Sequence, residues 1–186
     1  MKKLISIVTP CLNEEENVAE LHQRIQAQFE ALSDYAFEHI FIDNGSTDAT
    51  VERVKALAAT DTRVKLIVNA RNFGHIRSPL HGMYQASGDA IVMLASDLQD
   101  PPELIGEFIK KWEAGYLIAV GVKPRSRETI AMAVARRIYY RLIGRLADVQ
   151  LIPNFTGFGL YDRSVVELVR EINDPYPYFR DRKSVV

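Results

Sequence analysis

Short apolar runs alternate with amphipathic helical patterns along most of the chain. Apolar runs bounded by turn-forming residues predict β-strands, and apolar residues at three- and four-residue spacing predict helices. In chain order, the predicted strands are 4–9, 38–43, 64–68, 90–95 and 117–122, and the predicted helices are 15–32, 49–59, one ending near 87–88, and 101–114. This alternation is typical of βαβ units around a mainly parallel central sheet, and it predicts an α/β fold.

After residue 122 the alternation gives way to a basic amphipathic pattern. Residues 130–146 fit a helix whose apolar stripe lies beside a stripe of three arginines, Arg137, Arg141 and Arg145. Two interpretations stay open: a helix lying on an anionic membrane surface, or a packed helix with a solvated basic face. A strand over 154–162 and a helix over 163–172 are predicted to follow.

The composition is that of a soluble domain with one basic segment. The 186 residues are 47% hydrophobic and 25% charged, with a net charge of −1, which fits a single domain over residues 1–186. No apolar stretch approaches the roughly 20 residues that a membrane-spanning helix needs. Seven basic residues and one acidic residue give the segment 121–147 a net charge of +6, and the rest of the chain carries −7. We expect this segment to face anions.

The N-terminus and the single cysteine both favour the cytoplasm. The first apolar run is short and ends at Pro10 before three glutamates, which predicts a strand and not a signal peptide. Cys11 has no second thiol to pair with, so the chain has no internal disulfide and suits a reducing compartment. We expect a cytoplasmic protein without a transmembrane helix in this chain, placed by its basic segment at the cytoplasmic face of the membrane.

Acidic residues cluster after the apolar run 90–95. In open α/β sheets, ligands bind beyond the carboxyl ends of the strands, so these acids are expected to hold a charged ligand or its metal. Asp100 directly precedes Pro101 and is favoured as a helix N-cap over a ligand contact. Asp97 has no such local role, and it is the leading candidate for contact with metal or substrate.

Five motifs occur in an order that resembles the family 2 glycosyltransferases. They are Thr9–Glu14, Ile42–Asp48, Arg71–Gly74, Gly88–Asp89 and Asp97–Glu103. More narrowly, they are similar to the branch that transfers sugars from nucleotide donors to polyprenyl phosphate, the relatives of dolichol-phosphate mannose synthase. The resemblance covers about residues 3–172 and implies a GT-A fold, a single nucleotide-binding α/β domain. Members of this branch usually continue with membrane-associated segments, so the resemblance also implies that the chain is truncated at its C-terminus.

The resemblance assigns the nucleotide site to the ends of the first two strands. Pro10, Leu12 and Glu14 would flank the base and ribose of the donor, and Asp43 and Asn44 would reach the base or ribose. The chemistry agrees, because a carboxylate accepts hydrogen bonds from base N–H groups and ribose hydroxyls. For Asp43 the alternative is formation of the turn that follows it, and for Glu14 the alternative is an acid placed near a helix start.

The first departure from the family pattern concerns the metal. The family's Asp-X-Asp signature holds a divalent cation on the donor pyrophosphate, whereas this chain has Ala95 in the first position and keeps only Asp97. One carboxylate plus pyrophosphate oxygens can suffice for Mg²⁺, and Mn²⁺ is the alternative cofactor. Gln99 would assist near the metal or the sugar.

The second departure concerns the acceptor. Gly157 and Gly159 stand where the family commonly has an aspartate, assigned as the catalytic base, and an arginine. A hydroxyl acceptor needs such a base, whereas a phosphate monoester is mostly dianionic at neutral pH and is already a nucleophile. Arginines bind phosphate well, and four are expected to act in catalysis by positioning the acceptor phosphate and neutralising its charge: Arg125, Arg127, Arg136 and Arg137.

The sequence thus predicts transfer of a sugar from a UDP- or GDP-sugar to polyprenyl phosphate, with inversion and without any nucleic-acid partner. Two alternatives remain. One is a family 2 transferase acting on a saccharide hydroxyl, which Gly157 disfavours. The other is a non-catalytic fragment that binds nucleotide-sugar, which Ala95 and Gly157 would both permit.

Overall fold

A six-stranded mixed sheet runs through the part of the chain that the computed structural model describes, residues 2–122 and 155–172. The strands are β1 Lys3–Cys11, β2 Tyr35–Asp43, β3 Val64–Val68, β4 Ala90–Met93, β5 Ile118–Val122 and β6 Phe155–Asp162. The helices are α1 Val18–Ala31, α2 Thr50–Thr60, α3 Gly74–Gln85, α4 Ile105–Glu113 and α5 Arg163–Ile172, with a 3₁₀ turn, Pro102–Leu104, leading into α4. The predicted helix over 130–146 lies outside the described residues.

The strand order is β3-β2-β1-β4-β6-β5. The first four of these strands are parallel, and β6 is antiparallel to both of its neighbours. This arrangement confirms the predicted α/β fold with a mainly parallel sheet. The sequence pattern did not predict that β6 would separate β4 from β5, because periodicity identifies a strand without identifying its partner.

Apolar side chains cover both faces of the sheet. On one face, Ile5 and Ile7 of β1 pack with α1 and α4 through residues such as Ile25 and Phe108. On the other face, Val8 packs with α3 through Met83. Full burial of each large apolar side chain contributes about 1.5–3 kcal/mol, so this double-sided packing fixes the strand ends relative to one another.

Gly88–Asp89, one of the five motifs, lies at the start of β4 and has a structural role. A Cβ on Gly88 would lie 2.7 Å from both the carbonyl oxygen of Leu4 and the amide nitrogen of Ser6. The Gly88 amide donates to Ser6 Oγ at 2.8 Å, and Asp89 Oδ2 accepts from the Leu4 amide at 2.8 Å. The motif therefore joins β4 to the first half of β1, at the opposite end of the strands from their carboxyl termini.

Within the described residues, no helix is long and apolar enough to cross a membrane.

Several element boundaries differ from the predictions by two or three residues: the first helix begins at Val18, and β4 ends at Met93. The turn before α4 begins at Pro102, and Pro101 occupies the cap position. The sequence favoured Asp100 as the N-cap, whereas in the structure Pro101 is the N-cap and Asp100 precedes it.

Candidate nucleotide-sugar site

A cavity of about 620 Å³ lies at the carboxyl ends of β1, β2 and β4. Polar groups enter it from the loops after these strands, and the side of α3 supplies apolar ones. The described residues that line it are Pro10, Cys11, Leu12, Glu14, Asn44, Asn72, Gly74, His75, Ile76, Pro79, Leu80, Met83, Met93, Ala95, Ser96, Asp97, Asp100, Gly157 and Phe158. This is the edge at which the sequence predicted ligand binding.

The loops after β1 and β2 are tied together by reciprocal hydrogen bonds. Asn13, at φ +57°, accepts from the Thr47 amide at 2.8 Å through its side-chain oxygen, and its own amide donates to Ser46 Oγ at 2.9 Å. Glu15 Oε2 accepts from the Ala49 amide at 2.7 Å. Each loop thus satisfies backbone groups of the other, and this side of the cavity is preorganised.

The three residues predicted to flank the nucleotide after β1 all line the cavity. Leu12 is 42% exposed and presents an apolar surface at its mouth. Glu14 Oε2 accepts from Asn17 Nδ2 at 2.6 Å, which holds the carboxylate in place. Their contact with a nucleotide stays a prediction, and their placement is compatible with it.

Asp43 is 1% exposed and is not among the described residues that line the cavity. Its Oδ2 accepts from the Gly45 amide at 3.0 Å and from the Ser46 amide at 3.2 Å. The carboxylate thus forms the turn, which is the alternative that the sequence left open. The predicted contact with base or ribose stays a prediction.

Asn44, 8% exposed, lines the cavity but uses its whole side-chain amide within the protein. Nδ2 donates to Asn72 Oδ1 at 2.9 Å and to the Gly74 carbonyl at 3.3 Å. Oδ1 accepts from the Phe73 amide at 2.9 Å and from Asn69 Nδ2 at 3.3 Å. An amide side chain has two donor hydrogens and two acceptor lone pairs, so the nucleotide contact predicted for Asn44 would require one of these bonds to break.

Asp97 is exposed and faces the cavity at the end of a strained turn. Its Oδ1 accepts from the Gln99 amide at 3.1 Å, and no described residue donates to Oδ2. Leu98 has φ +56°, a backbone conformation that a bulky residue rarely adopts, and this strains the turn. Its side chain packs against the core. Ser96 Oγ donates to the Pro10 carbonyl at 3.0 Å and ties this turn to the end of β1. The turn therefore fixes a carboxylate that has one oxygen available.

Asp100 and Gln99, the polar neighbours of Asp97, differ in their burial. Asp100 is 7% exposed and lines the cavity, which places it at the site as well as next to the helix start. Gln99 is exposed and is not among the described residues of the cavity wall, so its assistance to metal or sugar stays a prediction.

The donor set fits a hard divalent cation only if a ligand supplies further oxygens. Among residues 2–122 and 155–172, no group of three or more histidine, cysteine, aspartate or glutamate side chains is placed to hold a metal ion. Asp97 offers one carboxylate oxygen at the cavity, which is the kind of donor that Mg²⁺ and Mn²⁺ accept while sharing substrate phosphates.

Both departures from the family pattern face the same cavity. Ala95 and Gly157 line it, and no described atom lies within 4 Å of the position of a Cβ on Gly157. Gly157 has φ +97°, which disfavours other residues there. A Cβ on Gly159 would lie 2.7 Å from the Ala119 carbonyl oxygen, so close packing against β5 requires glycine at that position. The four arginines predicted to bind the acceptor phosphate, at 125, 127, 136 and 137, lie outside the described residues.

Two further polar features, the buried Cys11 thiol and the contact between His22 and His39, have structural explanations. Burial, with additional repulsion from Asp43, raises the pKa of the Cys11 thiol to about 12, which makes the thiolate scarce at neutral pH. His22 and His39 contact each other through their Nδ1 atoms at 3.0 Å in the core, and burial lowers the pKa of both. Neither feature supplies a nucleophile or a metal ligand.

The structure places Asn72 in the cavity wall, where the sequence analysis assigned it no role. It belongs to the Arg71–Gly74 motif, which carried the resemblance as a unit, but no role was assigned to this side chain. The signal available in the sequence was an asparagine within a motif that follows the predicted strand 64–68.

Comparison with known proteins identifies the family. Residues 6–169 match glycosyl transferase family 2. The uncharacterized glycosyltransferase YkcC of Bacillus subtilis is 37% identical over 177 residues, which cover 94% of this chain and 54% of the relative. The prophage bactoprenol glucosyl transferase homolog of Escherichia coli is 35% identical over 167 residues, which cover 89% of this chain and 54% of the relative. This chain thus spans about half the length of these relatives.

Solved structures agree on the fold. A mannosyltransferase of Pyrobaculum calidifontis in complex with GDP-Man and Mn²⁺ matches with a TM-score of 0.61 at 17% identity, covering 90% of this chain and 47% of the other. Glucosyl-3-phosphoglycerate synthase of Mycobacterium tuberculosis with UDP matches with a TM-score of 0.59 at 24% identity, covering 90% and 58%. The chain therefore belongs to glycosyltransferase family 2 and has the GT-A fold that its motifs predicted.

Proposed function

We propose that this protein transfers a sugar from a nucleoside diphosphate donor to a polyprenyl phosphate, with inversion at the anomeric carbon. The observation that carries the proposal is Gly157, which lines the cavity where the family commonly has its catalytic base. A site without that base suits a nucleophile that needs no deprotonation. The relatives named bactoprenol glucosyl transferases support a polyprenol-linked acceptor.

The donor is assigned to the cavity at the ends of β1 and β4. Pro10, Leu12 and Glu14 flank its base and ribose, and Asp97 faces its pyrophosphate. When bound at Asp97, Mg²⁺ or Mn²⁺ would neutralise the charge that develops on the departing diphosphate. Solved GT-A structures that contain Mn²⁺ with GDP-Man or with UDP support this choice of cofactor and donor class.

The reaction is a single displacement. A phosphate oxygen of the acceptor attacks the anomeric carbon while the bond from that carbon to the donor's β-phosphate oxygen breaks, and the electron pair leaves with the nucleoside diphosphate. Because the second pKa of a phosphate monoester is about 6, the attacking oxygen carries no proton at neutral pH. The chain has to orient the two substrates and screen their charges.

The basic segment completes the proposal. Arg125, Arg127, Arg136 and Arg137 are assigned to the acceptor phosphate, since guanidinium groups bind phosphate bidentately. The net charge of +6 over residues 121–147 favours contact with the anionic cytoplasmic face of a membrane, where a polyprenyl phosphate resides.

A second candidate function is nucleotide-sugar binding without turnover. The observation that favours it is Ala95, which leaves Asp97 as the one carboxylate of the family's metal signature. Donor binding without any transfer would support this second function over the first.

Substitutions of Gly157 test the nature of the acceptor. Gly157→Asp should lower transfer to polyprenyl phosphate about 10²-fold, because a carboxylate there would repel the acceptor dianion. Gly157→Asn is the matched control: asparagine has the same shape, tolerates positive φ and carries no charge, so it should stay within about tenfold of wild type. Initial rates with saturating donor measure both. Equal losses in the two variants would show that backbone strain, and not charge, explains the requirement for glycine.

A further inference from the structure

Asn72 lies on the rim of the cavity, in the loop between β3 and α3. Its Oδ1 accepts two hydrogen bonds, from Asn44 Nδ2 at 2.9 Å and from the Gly74 amide at 2.8 Å. Both lone pairs of this oxygen are thus in use inside the protein. The orientation of the Asn72 amide is therefore fixed, with its oxygen towards the protein.

The side-chain amino group of Asn72, in contrast, has no hydrogen-bond acceptor among the described residues. Nδ2 donates to no described residue, and the side chain is exposed at the cavity. Its surroundings favour an electron-rich ligand atom, since Gly74 and His75, which also line the cavity, form the positive N-terminal end of α3. An N–H donor held in one orientation loses little entropy when it binds an acceptor atom.

We infer that Asn72 is a donor-binding residue whose Nδ2 hydrogen-bonds an acceptor oxygen of the nucleoside diphosphate, and that Asn44 is the positioning residue that orients it. This inference rests on the proposed function. It gives Asn44, whose own hydrogen-bonding capacity is filled, a part in binding that requires no direct contact with the nucleotide.

Asn44 is suited to positioning Asn72 because it hydrogen-bonds several residues of the loop that contains Asn72. Besides orienting Asn72, it accepts from the Phe73 amide and donates to the Gly74 carbonyl. Asn69 continues the network away from the cavity, to Ser78 Oγ at 2.8 Å. One buried side chain just after β2 thus bonds three consecutive residues of the loop, Asn72, Phe73 and Gly74.

The decisive comparison is Asn72→Asp against Asn72→Ala. Aspartate keeps an oxygen for Asn44 and the Gly74 amide but replaces the free N–H donor with an acceptor. A binding role therefore predicts that Asn72→Asp weakens UDP or GDP affinity at least as much as Asn72→Ala, by about tenfold or more. Wild-type affinity in Asn72→Asp would overturn the inference. An equal loss of affinity in His75→Asp, which adds the same charge at another position of the cavity wall, would attribute the loss to repulsion and would also overturn it.

Isothermal titration of the 186-residue chain with UDP and GDP in the presence of Mn²⁺ measures these affinities, and thermal melting monitors the fold. Titration with UMP tells whether the contact lies on the terminal phosphate, since UMP would then be insensitive to Asn72→Asp. Gln23→Ala is the control, because Gln23 is exposed on α1 and is not among the described residues of the cavity wall, so nucleotide affinity should be unchanged. A loss of affinity in Gln23→Ala equal to that in Asn72→Asp would contradict a specific role of Asn72.

A double-mutant cycle tests the part assigned to Asn44. If Asn44 acts through Asn72, then Asn44→Ala weakens binding in wild type and adds little further loss in Asn72→Ala. Additive losses would overturn the positioning role. Wild-type protein that binds neither nucleotide would overturn the proposed function and this inference together, whereas normal binding by Asn72→Asp would overturn the inference alone.

Discussion

Asp97→Asn should lower sugar transfer about 10³-fold and abolish the metal dependence of nucleotide binding. The substitution keeps the turn, because an amide oxygen can still accept from the Gln99 amide that Asp97 Oδ1 binds at 3.1 Å. It removes the negative charge that would hold a divalent cation on the donor pyrophosphate. Rates of transfer, and titrations with UDP and GDP with and without Mn²⁺, measure the two effects.

Glu107→Gln provides the control for Asp97→Asn. Glu107 is an exposed carboxylate on α4, paired with Lys110 at 2.7 Å, and it is not among the described residues of the cavity wall. Its loss should change neither transfer nor binding. If Asp97→Asn retained metal-dependent binding, the carboxylate that faces the pyrophosphate would have to be another one, and the buried Asp100, which also lines the cavity, is the next candidate.

Glu38→Ala should lower the free energy of unfolding by about 2 kcal/mol. Glu38, 4% exposed, joins three parts of the sheet region: its carboxylate accepts from Ser6 Oγ at 2.5 Å, from the Ser87 amide at 2.7 Å and from Lys65 Nζ. Its removal leaves the buried Ser6 hydroxyl without its acceptor, whereas Lys65 and Ser87 are exposed and can bond water instead. Urea denaturation at pH 7 measures the change. Glu52→Ala, at an exposed position of α2, should cost less than about 0.5 kcal/mol.

The contribution of Glu38 should also depend on pH. Burial acts to raise the pKa of Glu38, but the hydrogen bonds from Lys65, Ser6 and Ser87 outweigh it and hold the pKa below its ordinary value. A carboxylate with a lowered folded-state pKa stabilises the protein above the unfolded-state pKa of about 4.3, and this contribution is lost as pH falls through the folded-state pKa. The stability difference between wild type and Glu38→Gln should therefore shrink below about pH 4. A difference that grew on acidification would contradict this assignment.

The sequence predicted much of the fold because burial imposes periodicity. The predicted bounds 64–68 and 163–172 match β3 and α5, and the apolar stripe of the first helix is buried as expected. The position of β6 between β4 and β5 was not predictable in this way, since strand partners depend on contacts between distant segments. Where the periodic pattern ends in loops, boundaries shifted by two or three residues.

The motifs contain several residues that line the cavity, but the binding roles predicted for them stay predictions. The motifs located the cavity, since Pro10, Leu12, Glu14 and Asp97 all line it. Sequence could not tell which polar atoms are already used by neighbours. The amide of Asn44 is filled by partners 25 to 30 positions away in the chain, and this can be seen only once the loops are folded together.

If the cavity brings a nucleotide-sugar to a phosphate nucleophile, only a phosphorylated acceptor should receive the sugar. The most direct measurement incubates the chain with Mn²⁺, a labelled UDP- or GDP-sugar, and either polyprenyl phosphate or the matched polyprenol, and quantifies labelled lipid. We expect labelled, anomerically inverted product from the phosphate and none from the alcohol, because no base is available at Gly157 to deprotonate a hydroxyl. Transfer to the polyprenol or to a free saccharide at the same rate as to the phosphate would contradict the claim.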